Sequence, residues 1–284
     1  MFRIASLLTL LVTGAGLVSG AHVADAQTWR TMTSARQVWE TTPIDVRIQY
    51  GAGTLRIDPV GSPMLYELEI RYDEEIFEPI AEFDPDARTL RLGIESRERR
   101  RSMNLREGST ATIGLTREVP LDLRLEFGAG EAEIELGGIA LERLSLSTGA
   151  SETRVDFSNP NPIAAEQIRI EAGAADLRVT GLGNTRAARI EFQGGVGATV
   201  LDFSGDWQGD ATASVQMGVG SVTLRLPRSQ GIRLNRSSFL TSFSAPGLER
   251  QGDSYYSANW GTADQQLILD VSAALGSIDI EWID

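Results

Sequence analysis

Cysteine and lysine are missing from this chain altogether, and its single histidine is His22. Beyond residue 26 the chain therefore has no imidazole, thiol or amine side chain. Ser-His-Asp triads, cysteine nucleophiles, His- or Cys-based metal sites, Schiff bases and the P-loop lysine are excluded on inventory. Carboxylate, hydroxyl, phenol and guanidinium chemistry remain. Without disulfides, stability must come from burying a core, which is feasible at 284 residues. Positive charge is also scarce: 26 basic residues, all arginine, stand against 39 acidic ones, for a net charge of −13. Nucleic acids and anionic membrane surfaces are bound by neutralising phosphates, so neither is an expected partner.

Long apolar runs are nearly absent as well. Ile4 to Val18 is the one such stretch, and it falls short of the ~20 apolar residues a spanning helix needs. It follows Arg3 and leads to Ala24-Asp25-Ala26 before Gln27, a small-x-small cleavage pattern. Residues 1–26 are therefore expected to be a signal peptide. The mature chain is expected to be exported, as a periplasmic, cell-surface or secreted protein with no transmembrane span.

What the chain does have is a repeat. A strand-like run, a turn of small residues and a second alternating run recur as YGAGTLRI from Tyr50, FGAGEAEIEL from Phe127, TGASETRVDF from Thr148 and AGAADLRVTGL from Ala172. The unit returns as GGVGATVLDF from Gly194, MGVGSVTLRL from Met217 and AALGSIDIEW from Ala273. From Gly128 the turn glycines Gly149, Gly173, Gly195 and Gly218 follow at intervals of 21, 24, 22 and 23. Such a period predicts an all-β, single-chain β-solenoid with coils of about 22 residues. Alternation with period two assigns the faces. Ile57, Ile134, Val155, Val179, Leu201, Leu224 and Ile280 form one inward column; Asp58, Glu135, Asp156, Thr180, Asp202, Arg225 and Glu281 form a polar column beside it. The small residues of the turns allow positive φ or close backbone approach where one face bends into the next. These turns run into strands, so they are not phosphate loops.

Two stretches interrupt the repeat. Residues 27–118 read as an N-terminal β-subdomain containing the first repeat unit, and 119–284 as the solenoid. Within the latter, 227–284 is expected to be a capping segment in which an irregular or hairpin excursion feeds a terminal rung.

The G-A-G and G-V-G units, the run LPRSQGIRLNRSSFLTSFSAPGLERQGDSYYSANW and the final LGSIDIEW resemble the bacterial toast-rack proteins. These include the C-terminal domain of LiaF-like cell-envelope stress proteins and related adhesin-type β-solenoids. The resemblance implies a β-solenoid, an envelope location and no established catalytic residue. LiaF-like members carry membrane helices ahead of the solenoid, which this chain does not repeat.

Candidate sites follow from the polar positions. Asp156 and Asp202 lie two repeats apart, about 9.6 Å at ~4.8 Å per strand, at the edge of the ~6.5–9.5 Å range of an inverting glycosidase. They define the alternative function, a carbohydrate-active solenoid hydrolase. The competing expectation is that Arg154 and Arg178, in the neighbouring outward column, neutralise them. Asp202, Asp206 and Asp210 match neither the EF-hand nor the nonapeptide calcium pattern, and neither metal nor cofactor is expected. Tyr255, Tyr256 and Trp260 are a candidate binding group or a cap. Arg99, Arg100 and Arg101, within the run from Arg97 to Arg106, are a candidate anionic-partner site or a solvated loop. The expected function is a non-enzymatic extracytoplasmic scaffold for envelope-stress signalling or adhesion, with an envelope protein or glycan as partner.

Overall fold

The computed structural model describes residues 28–96 and 108–284. The expected signal peptide and the arginine run from Arg97 to Arg106 lie outside them. In chain order the strands are β1 (Trp29–Gln37), β2 (Ile44–Pro59), β3 (Met64–Asp73), β4 (Phe77–Asp84), β5 (Thr89–Ser96), β6 (Ser109–Leu115), β7 (Leu121–Glu135) and β8 (Leu141–Asp156). There follow β9 (Gln167–Ala174), β10 (Asp176–Thr180), β11 (Arg189–Asp202), β12 (Ala211–Pro227), β13 (Gly231–Ser244), β14 (Glu249–Gln251), β15 (Ser254–Tyr256) and β16 (Gln266–Ile283). One 3-10 turn, Leu182–Thr185, interrupts them. The described chain is thus all-β.

Each repeat unit becomes one long bent strand, and successive units stack in parallel. The order is β2, β7, β8, the split pair β9 and β10, β11, β12, β16, then β13. The register aligns the repeat positions: Ile57 with Ile134, Ile134 with Val155, Val155 with Val179, Val179 with Leu201, Leu201 with Leu224, and Leu224 with Ile280. All seven are buried. The inward column read from the alternation is therefore continuous, and each side chain in it contributes roughly 1.5–3 kcal/mol by leaving water.

The bends are closed by glycine for two separate reasons. Gly128 has an ordinary φ, but a Cβ there would lie 2.1 Å from the Gly51 carbonyl oxygen of the neighbouring strand. At Gly220 the backbone itself is out of reach of other residues, with φ at +138°, and a Cβ would meet the Gly197 oxygen at 1.8 Å. The equivalent position in β8 is Ser151, opposite Gly130, so the motif tolerates a side chain where the local path differs. Between bends, asparagines tie the return turns together. Asn161 both accepts from the Leu141 amide and donates to its carbonyl, and Asn184 donates to Phe157 O while accepting from the Asp206 amide.

Both ends differ from a simple serial stack. At the N-terminal end β5 pairs with the first arm of β2 and β6 with its second arm, so together they make a split rung outside β2. The strand β3 then adds antiparallel to β6 and β1 antiparallel to β3, and β4 adds antiparallel to β5. At the C-terminal end the last strand in sequence, β16, is not last in space. It lies between β12 and β13, and the stretch expected to be an irregular excursion contains β13, a full rung on the outside. The hairpin of β14 and β15 then folds against the start of β13. Both the first and the last repeat strands are thereby covered by a neighbour.

Candidate functional site

The acidic column forms as the alternation predicts, but its partners differ from those expected. Asp156 lies beside Thr180, and Asp202 beside Arg225. Thr180 donates its hydroxyl to Asp156. Asp202 is buried and takes the Arg225 guanidinium at 2.6 Å, while Arg225 also faces Glu281. Arg154 pairs with Glu152 on its own strand. The expectation that Arg154 and Arg178 hold Asp156 and Asp202 is corrected: in a parallel in-register sheet, lateral neighbours two residues apart on one strand compete with the rung above, and here the nearer acid takes Arg154.

Similar interleaving occurs on both arms of the bent strands. Arg56 bonds Asp58 and Glu133, and Arg143 joins Asp122 to Glu166. Both guanidiniums are held still more firmly protonated, first by the hydrogen bonds to Asp58 and Asp122 respectively. A shallow groove of about 300 Å³ is lined by Arg56, Asp58, Glu133, Glu135, Arg154 and Asp156. Glu135 turns into the backbone, accepting from the Gly137 and Ser158 amides. Asp202, Asp206 and Asp210 do not converge either: they bond Arg225, Arg186 and the Gln266 amide. Among the described residues no group of three acids stands in metal-binding proximity.

The aromatic trio sits at the C-terminal end of the stack. Tyr255 packs edge-on against Phe243 with centroids 4.9 Å apart, and Tyr256 lies 5.9 Å from Trp260. All three are half-buried. Tyr255 and Tyr256 are carried by β15, whose pairing with β13 fixes their position. Arg99, Arg100 and Arg101 lie outside the described residues.

A different surface carries a contiguous run of exposed large apolar side chains among the described residues. In the first bend the middle residue, Ala52, is buried, but from β11 onward the middle residues are large and exposed: Val196 is 56% exposed, Val219 42%, Leu275 47% and Leu240 63%. Register aligns them in one row, Val196 beside Val219, Val219 beside Leu275 and Leu275 beside Leu240. Earlier bends carry Ala129, Ala150 and Ala174 in the same row. The row thus grows from alanine to valine to leucine, and Phe239, 84% exposed, stands at its end. A neighbouring groove of about 620 Å³ includes Gln193, Gln216, Ser272, Ser237 and Phe239. The outward positions flanking this half of the bend are uncharged: Gln193, Gln216, Ser272 and Ser237 before it, Ala198, Ser221, Ser277 and Ser242 after it. On the earlier rungs the same positions hold Gln49, Glu126, Ser147 and Glu171 before the bend, then Thr54, Glu131, Glu152 and Asp176 after it. Exposed apolar rows of this kind mark interaction surfaces. Sequence reasoning missed it by assigning the G-V-G triplets wholly to turn chemistry; the growth of the middle residue was the available signal.

Fold and surface together define a repeat-built, all-β protein whose distinctive feature is an exposed apolar row, with the candidate acids Asp156 and Asp202 held by the Thr180 hydroxyl and the Arg225 guanidinium. The family described as the N-terminal domain of toast_rack (DUF2154) matches residues 23–180 and 165–225, and the chain belongs to that family. No curated protein matches. Among solved structures it is similar to a candidate cell adhesion protein from Clostridium sporogenes, at 17% identity and a TM-score of 0.48, covering 89% of this chain and 100% of that one. A candidate adhesin from Bacteroides fragilis matches at 14% identity and TM-score 0.37, covering 88% and 97%. A candidate lipid binding protein from Parabacteroides distasonis matches at 12% and 0.33, covering 89% and 97%.

Proposed function

We propose that this chain is an exported β-solenoid scaffold without catalytic activity, which recognises an envelope protein or glycan in adhesion or envelope-stress signalling. The observation that carries the reading is the apolar row Val196, Val219, Leu275 and Leu240, exposed along the bend and aligned by the parallel register of the stack. Rigid, repeating faces suit recognition, because little ordering entropy is lost on binding. Ion pairing of Asp202 with Arg225 favours the scaffold over the hydrolase alternative. Among the described residues no helix is long and apolar enough to cross a membrane.

The reading is tested by sedimenting the purified protein with isolated bacterial envelopes. The wild type is expected to co-sediment, and the triple variant Val196→Glu, Val219→Glu, Leu275→Glu to lose most of that retention while keeping its circular dichroism spectrum. Equal retention of a folded variant would remove the row from the function.

A further inference from the structure

The outermost rung of the C-terminal end is open. β16 pairs with β13 along Gly231–Ser244 on one side, but on the other side β15 covers only Arg233, Leu234 and Asn235. From Arg236 to Ser244 no strand lies against the second edge among the described residues. Natural proteins blunt such edges with charge, proline or bulges, because unpaired amides and carbonyls template further pairing. The outer strands at the other end follow this rule: β1 carries Arg30 and Arg36, and β4 carries Glu78, Glu82 and Asp84. β13 does not. From Ser237 to Leu248 there is no charged residue in a chain of net charge −13. Its one cation next to this stretch, Arg236, lies over the Phe243 ring of its own strand, 4.8 Å from the centroid. Phe239 and Leu240 stand exposed at the centre of the open segment.

We propose that β13 is the docking strand for a second copy of this chain, added antiparallel about a two-fold axis that passes between Phe239 and Leu240. A bent strand superposes on a reversed copy of itself when rotated about the bisector of its bend, so the two arms simply exchange partners across the axis. In this register Phe239 faces Leu240 of the second copy, Ser238 faces Thr241, Ser237 faces Ser242 and Arg236 faces Phe243. No like charges meet, and each arginine stands opposite an aromatic ring, the kind of partner it already has within its own strand. The paired segment ends at Arg236, where β15 takes over at Asn235, so the hairpin need not move. Charge selects this face for self-association: elsewhere an acidic chain repels its copy, whereas here an uncharged edge meets its equal. The apolar row then runs on across the axis through both copies of Leu240, doubling its length.

The test reads mass alone, so its outcome is separate from envelope binding. Sedimentation velocity of the purified protein across the micromolar range is expected to give twice the chain mass. The double variant Phe239→Lys, Leu240→Lys gathers four positive charges at the axis and is expected to sediment as a monomer. Both side chains are largely exposed, so its circular dichroism and thermal midpoint should match the wild type. Thr54→Lys, a change at another exposed position but at the far end of the stack, is expected to leave the doubled mass intact. A monomeric wild type would overturn the proposal and leave the edge to a strand from a different protein. A folded double variant that keeps the doubled mass, or a Thr54→Lys protein that loses it, would overturn it too.

Discussion

At the scale of single residues, Tyr50 combines the two forces that hold the stack. Its ring is buried against Phe127 with centroids 6.2 Å apart, and its hydroxyl donates to Ser109 Oγ at 2.9 Å, which itself donates to Ala52 O at 2.7 Å. Burial pushes the phenol from 10.0 to about 12, against a smaller lowering effect of the Ser109 bond. The unfolded phenol therefore ionises first. The stabilisation is present in full below pH 10 and is lost as pH rises from 10 towards 12, a change of roughly 2 to 3 kcal/mol. Urea unfolding of the wild type should show that alkaline loss. Tyr50→Phe should cost about 1 kcal/mol near neutral pH, from the hydrogen bond, and should lack the tyrosine-specific part of the alkaline step. Parallel pH profiles for the two proteins would contradict this assignment. At this scale the sequence was informative about burial and poor about partners. Ile134, Val155 and Val179 could be placed inward from alternation alone, because a period of two leaves no other choice. The partner of Asp202 could not, because Arg178 and Arg225 both lie near it once strands stack, and only the register selects Arg225.

At the scale of the element, the bent strand is the repeating unit, and its two glycines are not interchangeable from rung to rung. A Cβ added at Gly51 would have nothing within 4 Å, whereas Gly220 combines a φ of +138° with a carbonyl oxygen at 1.8 Å. Gly51→Ala should therefore shift the unfolding free energy by less than about 0.5 kcal/mol. Gly220→Ala should cost about 2 kcal/mol or more, since both the backbone and the rung below must give way. Chemical denaturation distinguishes the two, and equal effects would mean that the bends relax freely. The repeat spacing made each bend legible, because Gly128, Gly149, Gly173, Gly195 and Gly218 recur at nearly constant intervals. The spatial order of the last rungs was not legible. β13 and β16 have the same inward alternation, with Leu234 beside Leu269 and Phe243 beside Ile278, and nothing in that pattern says which of them lies outside. The apolar row was hidden for a related reason: Val196 and Val219 sit between glycines, where composition points to a turn and only the stacked geometry reveals an exposed edge.

At the scale of the whole molecule, the exposed apolar row is confined to the later bends, while ion pairs run along the arms of early and late rungs alike. The early rungs interleave acids with arginines, as in the contacts of Arg56 with Asp58 and Glu133 and of Arg143 with Asp122 and Glu166. On the later rungs the positions next to the bend are serine, glutamine and alanine beside the apolar row, with the Asp202, Arg225 and Glu281 pairs farther along the arm. A glycosidase requires one carboxyl kept protonated beside another that stays ionised. Asp202 instead lies buried in an ion pair with Arg225, and Asp156 accepts the Thr180 hydroxyl. The most direct test of the scaffold account is product release from a panel of bacterial cell-wall and capsular polysaccharides, measured for the wild type, Asp156→Asn and Asp202→Asn. The account predicts no release above the blank for any of the three proteins. Release by the wild type that disappears in either variant would contradict it.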